Sequence, residues 1–122
     1  MWRSSVRCSF GPGLSLGLAC GRQLDGAPST ISVLQEIVDA IGGRCEVLFD
    51  GGVRSGQDIA KALALGARGA LIGKSFLFAL AAAGEAGVRK AIEIMRNELR
   101  VTLALTGTAN VGAVGPHILR RP

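Results

Sequence analysis

Two short apolar runs, Cys45-Glu46-Val47-Leu48-Phe49 and Gly69-Ala70-Leu71-Ile72, each give way to glycine and then to a cation. The first continues as Asp50-Gly51-Gly52-Val53-Arg54 and the second as Gly73-Lys74. Runs this short and this apolar, bounded by glycine, read as strands of a parallel sheet. Glycine admits backbone conformations closed to other residues and lets N–H groups come close to an anion. Arg54 and Lys74 bring positive charge to the same two places. A helix starting just beyond adds the positive end of its dipole. The pair reads as a phosphate cradle shared by two strand ends.

The segments between and around these runs carry a helical period. Ile31, Leu34, Ile37, Val38 and Ile41 fall on one face, with Gln35, Glu36 and Asp39 opposite, and Gly42-Gly43 ends the pattern. Ser55-Gly56-Gln57-Asp58 has the spacing of a capping box and opens a second helix that turns Ile59, Ala62 and Leu63 inward and stops near Gly66. After a small-residue stretch from Ala79 to Gly87, the residues Val88, Ala91, Ile92, Met95, Leu99, Thr102 and Leu103 form an apolar stripe. On that third helix Arg89, Lys90, Glu93, Arg96 and Glu98 are expected to face solvent, and Gly107 to end it. The order helix, strand, helix, strand, helix implies parallel strands joined by crossover helices, an α/β layer fold. Phosphate sites of (β/α)₈ barrels sit on the loops after the last two strands, which two successive strand-glycine-cation tips resemble. A complete barrel needs about 250 residues, and this chain has 122. It has room for two or three βα units, hence an incomplete barrel or a small α/β domain.

Composition narrows the function classes. A formal charge of +5 invites a nucleic-acid reading. The cations are dispersed, however, with several at the ends (Arg3, Arg7, Arg120, Arg121), Tyr is absent, and no basic stripe is interleaved with aromatics. No nucleic-acid partner is expected. There is no apolar run of about 18 residues, so no transmembrane segment is expected. Cys8, Cys20 and Cys45 fit neither a zinc motif nor a disulfide framework, which points to reduced thiols in a cytoplasmic protein. Arg3 and Arg7 ahead of Leu14-Ser15-Leu16-Gly17-Leu18-Ala19-Cys20 superficially suggest a targeting leader, but Gly11, Pro12, Gly13 and Gly17 interrupt it.

Taken together, Gly21-Arg22-Gln23-Leu24-Asp25-Gly26, Leu48 to Gly56, Ala64-Leu65-Gly66-Ala67, Leu71-Ile72-Gly73-Lys74 and Ala104-Leu105-Thr106-Gly107 closely resemble the C-terminal part of the FMN-dependent 2-hydroxy acid oxidases and dehydrogenases. That group includes the flavin-type L-lactate dehydrogenases, glycolate oxidases and mandelate dehydrogenases. The resemblance implies the C-terminal part of a (β/α)₈ TIM barrel, with residues 21–107 belonging to the family domain, 1–20 a divergent leader and 108–122 an irregular tail. It implies FMN as cofactor, its phosphate against Gly51, Gly52, Val53, Arg54, Gly73 and Lys74, with Asp50 facing the ribityl chain. Arg22 corresponds to the arginine that grips the carboxylate of a small 2-hydroxy acid, two oxygens suiting its planar fork. The parent enzymes are often homo-oligomers.

Two departures bear on activity. The family motif reads Ser-Asn-His-Gly-Gly-Arg-Gln-Leu-Asp, its histidine serving as the catalytic base, and here that position is Ala19. The lone histidine, His117, lies far along the tail. Lys74 stands where the family usually has arginine, keeping the charge without the fork. The expectation is a truncated chain, lacking the base, that retains the phosphate end of the flavin site. The alternative is a non-catalytic fragment or pseudogene product, at most binding the FMN phosphate or packing with another chain. At single positions plainer readings stay open: Gly51-Gly52 as an ordinary turn, Arg22 as a solvated loop residue or partner of Asp25, Asp50 as a cap for the turn after it.

Overall fold

The computed structural model describes residues 7–8, 13–16 and 28–120. Four strands form one sheet: β1 (Arg7–Cys8), β2 (Gly13–Leu16), β3 (Glu46–Asp50) and β4 (Gly69–Leu71), in that spatial order. β1 runs antiparallel to β2, while β2, β3 and β4 are mutually parallel. Three helices alternate with them: α1 (Thr30–Ile41), α2 (Gly56–Ala64) and α3 (Lys74–Leu105). Two short 3-10 turns, Val111–Ala113 and Pro116–Ile118, punctuate the tail.

The α/β alternation expected from the periodicity is present, with two more strands, β1 and β2, than the sequence suggests. Gly13–Leu16 falls in the segment read as a leader, yet it pairs along β3 with Leu14 opposite Val47 and Leu16 opposite Phe49. Its Leu-Ser-Leu alternation between glycines is the signal that marks it. β2, α1 and β3 make one crossover unit, and α2 carries the chain from β3 to β4.

One face of the sheet is covered. Val47 and Phe49 of β3 are buried with Leu34 of α1, Ala62 of α2, Val53 and Ala67, and Ile31, Ile37, Val38 and Ile59 pack around them. The intervening residues Leu48 and Asp50 are only half-buried, so β3 is not sheathed on both faces as its apolar run implies. Both crossover helices contribute to the buried face, and no described element covers the other. Among the described residues Leu34 is the largest side chain fully withdrawn from solvent. Leu34→Ala is expected to lower stability by about 3 kcal/mol, the transfer loss plus the cavity left behind. A thermal melt followed by circular dichroism reads this directly.

α1 ends at Gly42, whose left-handed conformation (φ 57°) returns its N–H to the Val38 carbonyl at 3.0 Å. α2 opens on the capping box the sequence announces. Ser55 Oγ accepts the Asp58 N–H at 3.2 Å, and Asp58 Oδ2 accepts the Ser55 N–H at 3.1 Å. α3 differs from expectation. It begins at Lys74 rather than near Val88, and it consists of two helices meeting at a corner where Ala83 and Gly84 leave helical geometry. The Ala- and Leu-rich stretch after Lys74 is a good helix former; only the corner is a true break.

The second half of α3 lies along α2. Met95 and Leu103 are buried, with Leu99 and Thr102 partly so. Ile92, expected on the inner stripe, is 57% exposed. α2 begins at the level of Met95 and Leu99, so Ile92, one turn earlier, lies beyond its start.

Candidate functional site

The parallel register brings the two strand-glycine-cation tips together. Asp50, the last residue of β3, lies opposite Leu71, the last residue of β4. Both chains leave the sheet at the same edge, and the loops touch just beyond it. Ser75 Oγ, in the first turn of α3, donates to the Val53 carbonyl at 3.5 Å. β2 ends at this carboxyl edge as well, with Leu16 opposite Phe49. Ala19 and Arg22 lie outside the described residues.

The glycines serve different ends. Gly51 (φ 118°) packs against α1: a Cβ there would stand 2.7 Å from Thr30 Oγ1. Gly52 (φ 80°) and Gly73 face open space, so at these two positions the backbone can be approached directly from outside. Val53 is buried and anchors the loop to the core, whereas Arg54 and Lys74 are exposed. Among the described residues neither cation takes part in an ion pair.

The backbone donors divide unequally between the two helices. Around the start of α2 they are already occupied. Asp58 Oδ2 accepts from both Arg54 N and Ser55 N at 3.1 Å, and Glu98 Oε2 accepts from Gly56 N at 2.8 Å. Glu98, expected on the solvated face of α3, is half-buried against this turn. The turn's cap is thus Asp58 and not Asp50, whose side chain makes no hydrogen bond among the described residues. The first turn of α3 is different: Lys74, Ser75 and Phe76 carry N–H groups with no acceptor inside the helix. The first helical bond there runs from Leu77 N to the Gly73 carbonyl, at 3.1 Å. The donors open to an anion are therefore those of the Gly51–Val53 loop and of the start of α3, flanked by two cations that have no ion-pair partner among the described residues. Such a set suits a phosphate monoester.

His117 sits in the second 3-10 turn, exposed. The neighbouring Ile118 lies beside Gln57, Ala60 and Lys61 of α2.

Comparison with known proteins places the chain in a family. The family model of the FMN-dependent dehydrogenases matches residues 14–121, wider at both ends than the stretch from Gly21 to Gly107 whose motifs carry the resemblance. The chain belongs to the FMN-dependent dehydrogenase family. Among curated relatives, the L-lactate dehydrogenase of Caulobacter vibrioides is 52% identical over 99 residues, 81% of this chain and 26% of the relative. A peroxisomal (S)-2-hydroxyacid oxidase of Arabidopsis thaliana is 53% identical over 100 residues, covering 82% and 28%. The 2-hydroxyacid oxidase 1 of Homo sapiens is 48% identical over 100 residues, covering 82% and 27%. This member of the FMN-dependent dehydrogenases thus spans about a quarter of the length of the relatives it matches.

Solved structures of mandelate oxidase superpose on it. One, with benzoyl-formic acid, has a TM-score of 0.79 at 48% identity over 86% of this chain and 31% of that one. Another, a mandelate oxidase mutant with a monooxide FMN adduct, gives 0.79 at 48% identity over 86% and 33%. The family is one of FMN-dependent oxidoreductases. Among the described residues no helix is long and apolar enough to cross a membrane.

Proposed function

We propose that this chain is the C-terminal, phosphate-holding portion of a (β/α)₈ barrel that oxidises a small 2-hydroxy acid with FMN. The observation that carries the reading is the meeting of two strand tips, each with an approachable glycine and an exposed cation, one of them opening a helix whose first N–H groups lack acceptors within the helix. The residues fit the cofactor's phosphate: Gly52, Val53 and Gly73 offer backbone, Arg54 and Lys74 offer charge, and Gly51 keeps the loop against Thr30. Asp50, half-buried at the strand end without a side-chain partner among the described residues, is suited to a ribityl hydroxyl. The bare face of the sheet, with Leu48 and Asp50, is where the side chains of further barrel strands would lie.

In this reading Arg22 grips the substrate carboxylate through its two-pronged guanidinium. When bound, the flavin supplies the acceptor for the two electrons that leave C2 of the hydroxy acid. The chain's own part is to hold the phosphate, orient the carboxylate and accept the hydroxyl proton. For the last task it has no group at the expected place, because Ala19 presents a methyl where an imidazole would act as base. The chain is therefore a binder that does not turn over lactate, glycolate or mandelate. The same reading keeps it in the cytoplasm, where a free thiol such as Cys45 stays reduced.

Titration of the full chain with FMN and with riboflavin, followed by flavin fluorescence, tests the proposal. The two ligands differ only in the phosphate. FMN is expected to bind at least about tenfold more tightly, since charge-assisted hydrogen bonds to an anion carry the difference. Equal binding of the two, or binding of neither, overturns the reading.

A further inference from the structure

We infer that Glu98 is a positioning residue for the phosphate loop, holding it through the first residue of α2 from a helix 42 positions away in sequence. The inference rests on the reading of Gly51–Arg54 as the phosphate loop.

The loop is fastened at three points. Upstream, Val53 is buried in the core. Within the turn, Asp58 accepts the N–H groups of Arg54 and Ser55. Downstream, Glu98 Oε2 accepts the Gly56 N–H at 2.8 Å. The first two fastenings are local, within five residues of the loop in sequence. The third is the long-range one, and it fixes where α2 starts relative to α3.

Its placement depends on close backbone contact. Gly56 lies against the Met95–Leu99 turn of α3 with no room for a side chain. Glu98, on that same turn, thereby meets the Gly56 N–H directly. α3 also begins at Lys74, the other half of the cradle. One helix thus supplies donors to the site from its start and, around its corner, clamps the opposite loop with Glu98.

The carboxylate has two opposing effects on an anion bound nearby. Its hydrogen bond keeps the loop's donors aimed, and its negative charge repels the ligand. Two conservative variants separate them. Glu98→Asp keeps the charge but draws the oxygens back by about 1.5 Å, beyond hydrogen-bond reach of Gly56. Glu98→Gln keeps an acceptor oxygen at the original reach and removes the charge. A purely structural role lowers FMN and riboflavin binding together. A positioning role acts only where the phosphate is held.

The experiment measures FMN and riboflavin affinities for the full chain and both variants, with helical circular dichroism confirming that each folds. If the inference holds, Glu98→Asp lowers the FMN-to-riboflavin preference about tenfold, and Glu98→Gln keeps or raises it. An unchanged preference in Glu98→Asp overturns the inference, as does a preference lost equally in both variants. A wild-type chain that does not prefer FMN removes the phosphate-loop reading itself, a result distinguishable from either. Should Glu98→Asp fail to fold, amide hydrogen exchange at Arg54–Gly56, whose N–H groups are bonded, decides in wild type and Glu98→Gln. Protection kept in Glu98→Gln supports the clamp, and protection lost there overturns it.

Discussion

Gly56→Ala is expected to lower folding stability by about 3 kcal/mol, the upper part of the usual range for overpacking, and to move the melting midpoint down by about 10 °C for a chain of this size. The added Cβ would stand 2.5 Å from the Met95 carbonyl oxygen and closer still to the Leu99 amide nitrogen. Both are backbone atoms in the middle of a hydrogen-bonded helix, so neither can swing aside as a side-chain tip would. The helices have to part, which costs burial at Met95 and Leu103 and lengthens the Glu98–Gly56 bond. Gly52→Ala is the matched comparison. It puts a side chain at φ 80°, a conformation unfavourable by about 1–2 kcal/mol, yet meets nothing within 4 Å. Thermal melts of the two variants should therefore rank Gly56→Ala well below Gly52→Ala. The reverse order would mean that α2 and α3 do not cross this closely.

What the sequence discloses and what it conceals follows from range. The Ser55–Asp58 capping box and the helical stripe of Ile31, Leu34 and Val38 are local patterns, and they form as the spacing implies. The two strand-glycine-cation tips are equally local, and parallel pairing makes them neighbours. Glu98 is different. Its helical spacing puts it beside the polar residues of α3, and nothing nearby indicates that Gly56 needs its oxygen. Only the close crossing, allowed by a glycine 42 positions earlier, turns that edge of the stripe inward. Ile92 errs in the opposite sense, apolar by pattern but beyond the end of the partner helix. The helix start at Lys74 is obscured because alanine and leucine on every side produce no amphipathic period. Gly13–Leu16 carries only a brief alternation between glycines, and pairing along β3 is what makes it a strand.

Arg54→Glu should abolish the preference for FMN over riboflavin, with FMN affinity falling by about a thousandfold. Two contributions add. Loss of the guanidinium removes a charge-assisted hydrogen bond, about 2 kcal/mol or roughly thirtyfold. The carboxylate that replaces it then repels the phosphate, a comparable amount at close range where water is partly displaced. Arg54 is exposed and makes no ion pair among the described residues, so the substitution leaves packing intact and the melting midpoint should scarcely move. Its backbone N–H remains bonded to Asp58 whatever the side chain. Lys74→Glu should act in the same direction more weakly, because an ammonium makes a point contact where a guanidinium makes a fork, and for that reason Lys74→Arg should tighten FMN by several-fold. Added salt should erode FMN binding in the wild type and leave riboflavin binding unchanged, since only the former depends on exposed charges. If Arg54→Glu weakened both flavins alike, its side chain would be acting on the fold, and the charge at the strand tip would have another purpose. If it weakened neither, the anion would be held by backbone alone, with Gly52, Gly73 and the first turn of α3 sufficient for the task.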